Sequence, residues 1–169
     1  QAPAGTVVAM SAKDLITFAQ AHLNGGLSAD GKPWLSPQSI QAMQSPTCDW
    51  PLQSQLKRNS VGLGWMISDY HQTQNQAPTR VIHHGGATMG FLSSLHVLPE
   101  QNAAVAVLIN GFSGKAITGI NNDLLKECFG LPSKEPEPKG SRSLEHCQEL
   151  VGHYESLDAA VDISIDNQA

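Results

Sequence analysis

The segment from residue 79 to residue 110 constrains the fold more than any other part of the sequence. It contains three strand patterns, "TRVIHH" at 79–84, "FLSSLHVLP" at 91–99 and "AAVAVLIN" at 103–110, joined by short, turn-rich connections. Short connections favour antiparallel neighbours, because parallel strands need a long crossover. We therefore predict an antiparallel meander in which "AAVAVLI" is a buried strand.

Two helical patterns precede these strands. "SAKD" at 11–14 fits a capping box, and apolar residues then recur at helical spacing until "NGG" ends the pattern near residue 24. In "LSPQSIQAMQ", Ser36 fits an N-cap and Pro37 the first helical position, which predicts a short helix to about residue 44. The first of these helices is expected to cover the sheet.

A further strand and a later helix complete the predicted architecture. "VGLGWMISD" at 61–69 has the composition of a strand, with Trp65 in the core. A helix is predicted over 115–129, with Gly130 as its C-cap. The predicted fold class is α+β, an antiparallel sheet flanked by N- and C-terminal helices. The apolar face of the last helix is expected to consist of Ile117, Ile120, Leu124 and Cys128.

The composition changes after the predicted end of that helix. Residues 131–143, "LPSKEPEPKGSRS", show no hydrophobic period and are predicted to be a linker. Residues 1–130 would then form one domain, and 144–169 the start of a small domain that the chain truncates. In this last part "LEHCQELVGHY" fits a short helix, and "AAVDISIDNQA" fits a strand that has no partner strand in the chain.

Charge and cysteine content exclude several classes of function. Ten Lys and Arg against fifteen Asp and Glu give a net charge of -5 without any block of like charges, so nucleic acid is not expected as a partner. Three cysteines without metal or redox spacing support neither a disulfide framework nor a zinc site. The chain opens without Met and without the pattern of a signal peptide, so we expect further sequence upstream.

The stretch "HHGGATMGF" at 83–91 is the strongest candidate for a site. Gly85 and Gly86 remove side chains where the strand pattern ends, which either makes a bend or lets another backbone or a ligand approach closely. From the residues alone, a tight turn with a half-buried histidine and a functional site both remain open.

The adjacent histidines should point to opposite faces of a strand. If His84 faces a cleft, His83 points away from it and is a sheet-face or core residue. A metal cluster of His83, His84 and His96 lacks a carboxylate or cysteine at ligand spacing, so we predict no metal ligand.

The pattern His84, Gly86, Gly90 and Phe91, followed by "LSSLHVLPEQNAAVAVLIN", resembles the third motif of the serine beta-lactamase and penicillin-binding protein superfamily. It is most similar to the group of class C enzymes, family VIII esterases and D-aminopeptidases, in which H-x-G stands in place of K-T-G. "WLSPQSIQAM" and "VGLGW" also occur in the family's order, so the resemblance covers about residues 4–130. It implies the C-terminal portion of a beta-lactamase/transpeptidase-like fold.

The resemblance also implies what is missing. The family's serine nucleophile lies in an S-x-x-K motif and its second motif is Y-x-N, both upstream of H-x-G. "SQLK" at 54–57 fits the first motif by its letters only, and "YES" at 154–156 lies downstream of H-x-G. We therefore expect a C-terminal fragment of a serine hydrolase that is inactive by itself and needs the missing N-terminal part of the same protein as its partner.

Within this chain, the resemblance implies that His84 lines the cleft and that the N–H of Ala87 donates to the oxyanion hole. It implies no cofactor, a small-molecule or peptide substrate (beta-lactam, D-peptide or ester), and a periplasmic or secreted location. Apolar surface left by the missing part would favour self-association. The alternative is a non-catalytic penicillin-binding-like module that binds peptide or cell-wall ligands. Substrate contacts are expected from Gly85, Gly86 and Thr88.

Overall fold

The computed structural model describes residues 8–50, 57–71, 77–132, 148–155 and 160–164. The chain divides into two compact units, Gln1–Glu135 and Pro136–Ala169. Most of the predicted linker, the start of the predicted helix at 144 and the first three residues of "SQLK" lie outside the described residues. In the described part of the chain, no helix is long and apolar enough to cross a bilayer.

The first unit combines helices with an antiparallel sheet. The strands follow one another across the sheet in chain order, from β1 to β6. The predicted α+β class and the predicted antiparallel meander are therefore confirmed. The helices are α1 (Ala12–Leu23), α2 (Pro37–Met43) and α3 (Gly114–Phe129), and the strands are β1 (Cys48–Asp49), β2 (Lys57–Val61), β3 (Met66–Tyr70), β4 (Thr79–Thr88), β5 (Phe91–Leu98) and β6 (Ala103–Asn110).

The helix boundaries follow from capping residues. At the start of α1, Ser11 N–H donates to the Asp14 carboxylate over 2.9 Å, and Asp14 N–H donates to Ser11 Oγ over 3.2 Å. Ser36 caps α2, with Pro37 at its first position. Gly130 ends α3 with a φ of 67°, a left-handed conformation that suits glycine. All three predicted boundaries are confirmed.

The single strand predicted at 61–69 is wrong, because two strands and a turn occupy this segment. Gly62 N–H donates to the carbonyl of Trp65 over 2.8 Å, and Gly64 has a φ of 75°. The two glycines permit a tight reversal that the apolar pattern conceals. Trp65 lies in the turn, yet it is only 4% exposed, which confirms its predicted place in the core.

Each face of the sheet packs against one helix. One face of the sheet packs against α1 and is called the α1 face here, and the other packs against α3 and is called the α3 face. Both helices lie against β5 and β6. The predicted helical cover is therefore confirmed, and the core has two layers. The α1 face buries Ile67, Ile82, Leu95 and Val97 with Ala19 and Trp65, and the α3 face buries Val81 and Leu98 with Leu125 and Leu131.

The strand "AAVAVLIN" is present as β6, but its predicted burial is wrong in detail. β6 forms one edge of the sheet, and most of its side chains are half-buried. Val107 is its buried residue, whereas Leu108 is 42% exposed. The apolar run reflects contact with helices on both faces, and hydrophobicity does not reveal whether a strand has a neighbour on each side.

The predicted apolar face of α3 is confirmed only in part, because Ile117 is buried and Leu124 is half-buried. Its buried residues are Ile117, Asn121 and Leu125, while Ile120 and Cys128 of the predicted face are exposed. Asn121 is buried because its side-chain oxygen accepts a hydrogen bond of 2.9 Å from Ser94 Oγ on β5. A polar residue thus occupies a buried position that a hydrophobic pattern cannot identify.

In the second unit, β7 (Gly152–Glu155) pairs with β8 (Ala160–Ile163) in antiparallel register. The predicted strand in "AAVDISI" is confirmed, but the expectation that it has no partner is wrong. The partner comes from the segment predicted to be the end of a helix, where His153 contacts Asp162 across the pair over 2.7 Å. Neighbouring strands stabilise such a segment more than its own propensity does.

Candidate active site

The H-x-G residues lie on a part of β4 that has a strand partner on one side only. β3 pairs with β4 from Thr79 to His83, where His83 faces Met66, whereas β5 pairs with β4 as far as Thr88. Residues 84–88 therefore present a free edge on the β3 side among the described strands. The predicted end of the strand at 84 is wrong, because pairing with β5 carries the backbone through both glycines.

The register directs the backbone of Ala87 toward that free edge. A two-residue turn at 89–90 connects β4 to β5, and it closes on the pair Thr88 and Phe91. Such a turn closes on a hydrogen-bonded pair, and in an antiparallel ladder these pairs alternate with non-bonded ones. The pair Ala87 and Leu92 is thus non-bonded, so Ala87 directs both its N–H and its C=O away from β5.

His84 lies on the α1 face and is exposed. Its Nδ1 lies 2.6 Å from the carbonyl oxygen of Gly85, a contact in which Nδ1–H donates. In the neutral ring this leaves Nε2 as an acceptor. The side chain can therefore receive a hydrogen bond from a hydroxyl group that lies beside the free edge.

A large cavity adjoins the same residues on the α1 face. It measures about 870 Å³ and its lining is mainly apolar. A Cβ added at Gly86 would lie 2.6 Å from Ser93 Oγ, so glycine leaves that hydroxyl uncovered. Gly86, Ala87 and Thr88 thus form a wall of a cavity that continues to Met10 and Leu15 at the start of α1.

His83 lies on the opposite face and takes no part in this wall. Its ring stacks on that of His96 with centroids 5.2 Å apart, and its Nε2 lies 3.1 Å from Ser68 Oγ. Burial, and then the neighbouring His96, lower the pKa of His83 to about 3. Burial, and then Lys57, lower the pKa of His96 to about 4. Both rings are therefore neutral at pH 7.

The structure separates the three histidines considered as metal ligands. His83 and His96 lie together on the α3 face, and His84 projects from the α1 face. Within the described ranges, no group of three or more His, Cys, Asp or Glu side chains could hold a metal ion.

Acid is expected to destabilise the chain through the stacked pair. The pKa of each histidine is near 6.5 in the unfolded chain and well below 6.5 in the folded chain. Above pH 6.5 both rings are neutral in both states, so they do not change the free energy of unfolding. As the pH falls toward the folded pKa values of about 3 and about 4, the unfolded state gains protons first. Urea unfolding at pH 7 and at about pH 4.5 should differ by a few kcal/mol, since one pKa unit corresponds to about 1.4 kcal/mol.

The variant His96→Leu tests this assignment. His96 Nδ1 is buried without a hydrogen-bond partner among the described residues, so leucine removes an unsatisfied polar atom from the core. We expect the variant to lose about half of the acid destabilisation that comes from the stacked pair, whereas the exposed control His71→Gln should keep the wild-type pH dependence. Buried His22, whose pKa burial also lowers, adds a contribution that both variants share. An identical pH dependence in His96→Leu and wild type would contradict the assignment.

Sequence reasoning missed Ser93 and the start of α1 as parts of this region. Ser93 faces Gly86 directly across β4 and β5. The two-residue turn at 89–90 fixes that register, so counting back from it could have identified Ser93. No sequence signal places Met10 beside the hairpin, because that contact joins elements far apart in the chain.

Comparisons with known proteins bear on the family and on the fold of the chain. The profile of the family described as "Beta-lactamase" matches residues 1–127. A curated relative, "Penicillin-binding protein 4" of Amycolatopsis lactamdurans, is 28% identical in an alignment 144 residues long that covers 80% of this chain and 36% of that protein. The fold is similar to the octameric penicillin-binding protein homologue from Pyrococcus abyssi, with a TM-score of 0.55, 17% identity, and coverage of 92% of this chain and 32% of that one. The chain thus spans about a third of the length of either protein.

Proposed function

The chain belongs to the beta-lactamase family, and we propose on this basis that it forms one wall of a serine hydrolase site that transfers acyl groups from an amide or ester. The observation that carries the proposal is the free edge of β4 at residues 84–88, where Ala87 directs its N–H outward beside His84 and Gly86. This is the arrangement that an extended acyl substrate needs.

Each residue of the wall has a chemical role in this proposal. A serine hydroxyl attacks the acyl carbon while the lysine of S-x-x-K takes its proton and later passes it to the leaving group. The carbonyl oxygen gains negative charge, and Ala87 N–H donates to it. The bond to the leaving nitrogen or oxygen then breaks, and water later releases the acyl group from the serine. His84 Nε2 accepts a hydrogen bond from a tyrosine hydroxyl, and Gly86 lets the substrate lie along the strand.

The nucleophile comes from a part of the protein outside this sequence in our proposal. The curated relative is nearly three times as long as the matched segment, which leaves ample chain for the S-x-x-K and Y-x-N motifs. The large apolar cavity beside Gly86 and the edge of β6 are the surfaces that this part would cover. Exposed apolar side chains at both places, such as Met10 and Leu108, support this assignment.

Sequencing the gene upstream of this segment tests the proposal directly. S-x-x-K followed by Y-x-N in the same reading frame is expected for the hydrolase. An upstream sequence with neither motif would contradict it and favour the non-catalytic module that binds peptide or cell-wall ligands.

The pair Gly86 and Ser93 offers a test of the wall itself. Gly86→Ala is expected to destabilise the fold by about 1–3 kcal/mol, because the new methyl group meets Ser93 Oγ at 2.6 Å. Adding Ser93→Ala should restore thermal stability. Activity of the longer protein should remain at least about tenfold reduced in the double variant, because the methyl group still fills the space for substrate.

Gly85→Ala is the matched control for that experiment. Its Cβ meets only the Ser93 carbonyl oxygen at 3.6 Å, an ordinary contact, and it points to the other face. The stability of Gly85→Ala should stay close to wild type, so this variant controls for the effect of an added methyl group on β4. Full activity in the double variant Gly86→Ala with Ser93→Ala would show that Gly86 serves packing alone.

We also propose an extracytoplasmic location and self-association of the isolated chain. The location follows from the kinds of protein that the family contains. Exposed Phe91 and Phe112, at 57% and 73%, add to the apolar surface through which copies of the chain could associate.

A further inference from the structure

Three Asn or Asp residues directly precede a glycine in this sequence, namely Asn24, Asp30 and Asn110. In such a pair the glycine nitrogen can attack the side-chain carbonyl carbon and close a five-membered succinimide ring. Glycine favours this reaction because it has no Cβ to hinder the approach. Ring closure requires a free glycine N–H and rotation of the preceding backbone, so the folded structure decides which of the three pairs can react.

The end of α1 fixes the pair Asn24 and Gly25. The next residue, Gly26, donates its N–H to the carbonyl of Ala21 over 2.8 Å, and its own carbonyl accepts from Leu35 N–H over 3.1 Å. Leu35 packs so closely that a Cβ added at Gly26 would collide with its carbonyl oxygen. Rotation of the Asn24 backbone would break these contacts, so ring closure is hindered at this pair.

The pair Asp30 and Gly31 is fixed by its side chain and its backbone. The Asp30 carboxylate accepts from Ser28 Oγ over 2.6 Å and lies 2.6 Å from Lys32 Nζ. The hydrogen bonds of Lys32, and then of Ser28, hold the pKa of that carboxyl below its usual value. An ionised carboxylate resists attack by a nucleophile, and Gly31 N–H already donates to the Ser28 carbonyl over 2.9 Å.

The pair Asn110 and Gly111 is held by neither kind of contact. Asn110 is exposed at the end of β6, where it faces Phe91 of β5. Because Phe91 directs its N–H and C=O to Thr88 of β4, the pair of Phe91 and Asn110 is non-bonded. In the described part of the chain Gly111 N–H has no backbone acceptor, and a Cβ added at Gly111 would meet no atom within 4 Å. Both requirements for ring closure are met here.

Asn110 also lies on the wall of the large cavity. The lining of this cavity is mainly apolar and includes Phe91 and Leu108, which are 57% and 42% exposed. The described lining residues contain no Lys, Arg or His. A carboxylate at position 110 would therefore have no counter-ion in the lining, and covering it with another surface would be costly.

We propose that Asn110 is a site of spontaneous deamidation, and that this modification marks chains whose large cavity is uncovered. The nitrogen of Gly111 bonds to Asn110 Cγ, the bond from Cγ to the side-chain nitrogen breaks, and that nitrogen leaves as ammonia with the proton of Gly111 N–H. Water then opens the ring at either carbonyl and leaves aspartate or isoaspartate. One water is consumed, one ammonia is released, and no oxidant is needed. The marking role rests on the proposed function, because that function supplies an N-terminal part that covers the cavity.

Incubation of the purified chain in water enriched in heavy oxygen tests the site itself. Each ring opening incorporates one heavy oxygen, so peptide mass mapping follows Asn24, Asp30 and Asn110 in one sample. We expect Asn110 to react about tenfold or more faster than the other two, which corresponds to about 1.4 kcal/mol of activation free energy. In urea, Asn24 and Asn110 should react at similar rates, since both precede glycine. A folded chain in which Asn24 or Asp30 reacts as fast as Asn110 would overturn the proposal.

Gly111→Ala is the matched variant, because alanine keeps the N–H and its methyl group meets no atom within 4 Å. It should slow the reaction at Asn110 about tenfold or more and leave the rate at Asn24 unchanged. Thermal unfolding reports the fold of the variant. An unchanged rate at Asn110 would show that its modification does not pass through a ring with Gly111.

Association with the N-terminal part tests the marking role. Adding that part should slow the modification of Asn110 about tenfold or more, and Asn110→Asp should weaken association about tenfold relative to Asn110→Gln. Equal affinities of the two variants, or undiminished modification in a complex seen by size-exclusion chromatography, would overturn this role. An upstream sequence without S-x-x-K and Y-x-N would instead contradict the proposed function, whereas selective modification of Asn110 in the isolated chain would still establish the site.

Discussion

The chain of 169 residues alone is expected to show no acyl transfer, and activity should appear only when the N-terminal part that we propose for a longer protein is added. In a covalent mechanism the nucleophile and its base act as a unit, and losing one of them costs about a million-fold in kcat. In our proposal this chain supplies one donor of the oxyanion hole and the His84 acceptor, which position a substrate but cannot attack it. A chromogenic cephalosporin and p-nitrophenyl acetate measure both activities, with the chain alone and after mixing.

The same mixture prepared with the His84→Ala chain is the control. Cleavage of p-nitrophenyl acetate by exposed histidines would persist in the chain alone, so only turnover that requires both parts counts as support. Turnover of the cephalosporin by the isolated chain would contradict the prediction. So would the absence of turnover after mixing, if size-exclusion chromatography showed that the two parts had associated.

Ala87→Pro in the longer protein is expected to reduce kcat about 10²–10³-fold while preserving the fold. Proline removes the N–H that we assign to the oxyanion hole. In the register of β4 and β5 that N–H points away from β5, so its loss removes no ladder bond. Proline is tolerated at such edge positions. Steady-state kinetics on an ester and a beta-lactam give the reduction, and thermal unfolding reports the fold.

Ala87→Ser provides the matched control, because serine keeps the N–H and adds one oxygen at an exposed site. It should retain kcat within about threefold, since a backbone donor needs no particular side chain. A kcat for Ala87→Pro close to that of Ala87→Ser would remove Ala87 from the oxyanion hole.

Local signals predicted the fold where one interaction decides the structure. The Ser11 and Asp14 capping box, Ser36 with Pro37, and Gly130 each fix a helix end through contacts within a few residues. The turn around Gly64 escaped prediction because its flanking residues are as apolar as a strand. There the left-handed glycine, and not hydrophobicity, decides where one strand ends and the next begins.

Burial depended on partners that no local pattern reveals. Asn121 is buried because Ser94, 27 residues earlier, supplies a hydrogen bond. β6 is apolar yet lies at an edge, since its side chains contact two helices while one side of its backbone faces no described strand. These arrangements follow from packing between elements, which sequence periodicity does not encode.

The candidate site also combines features that the local sequence predicts with features that it does not. Strand alternation indicates that His83 and His84 point to opposite faces, and the resemblance singled out His84, Gly86 and Ala87. The sequence could not show that β3 begins only at Met66, opposite His83, while β4 continues to Thr88, although this difference produces the free edge. The length of a strand depends on its pairing partners, so the free edge of β4 cannot be identified before the sheet is assembled.

The most direct test of the central claim is the position of the covalent adduct. A fluorophosphonate probe is added to the reconstituted mixture, and peptide mass mapping identifies the labelled serine. Our account predicts a label on a serine of the N-terminal part, formed only when this chain is present and diminished by Ala87→Pro. A label on Ser54, or on any other serine of this chain, would contradict it.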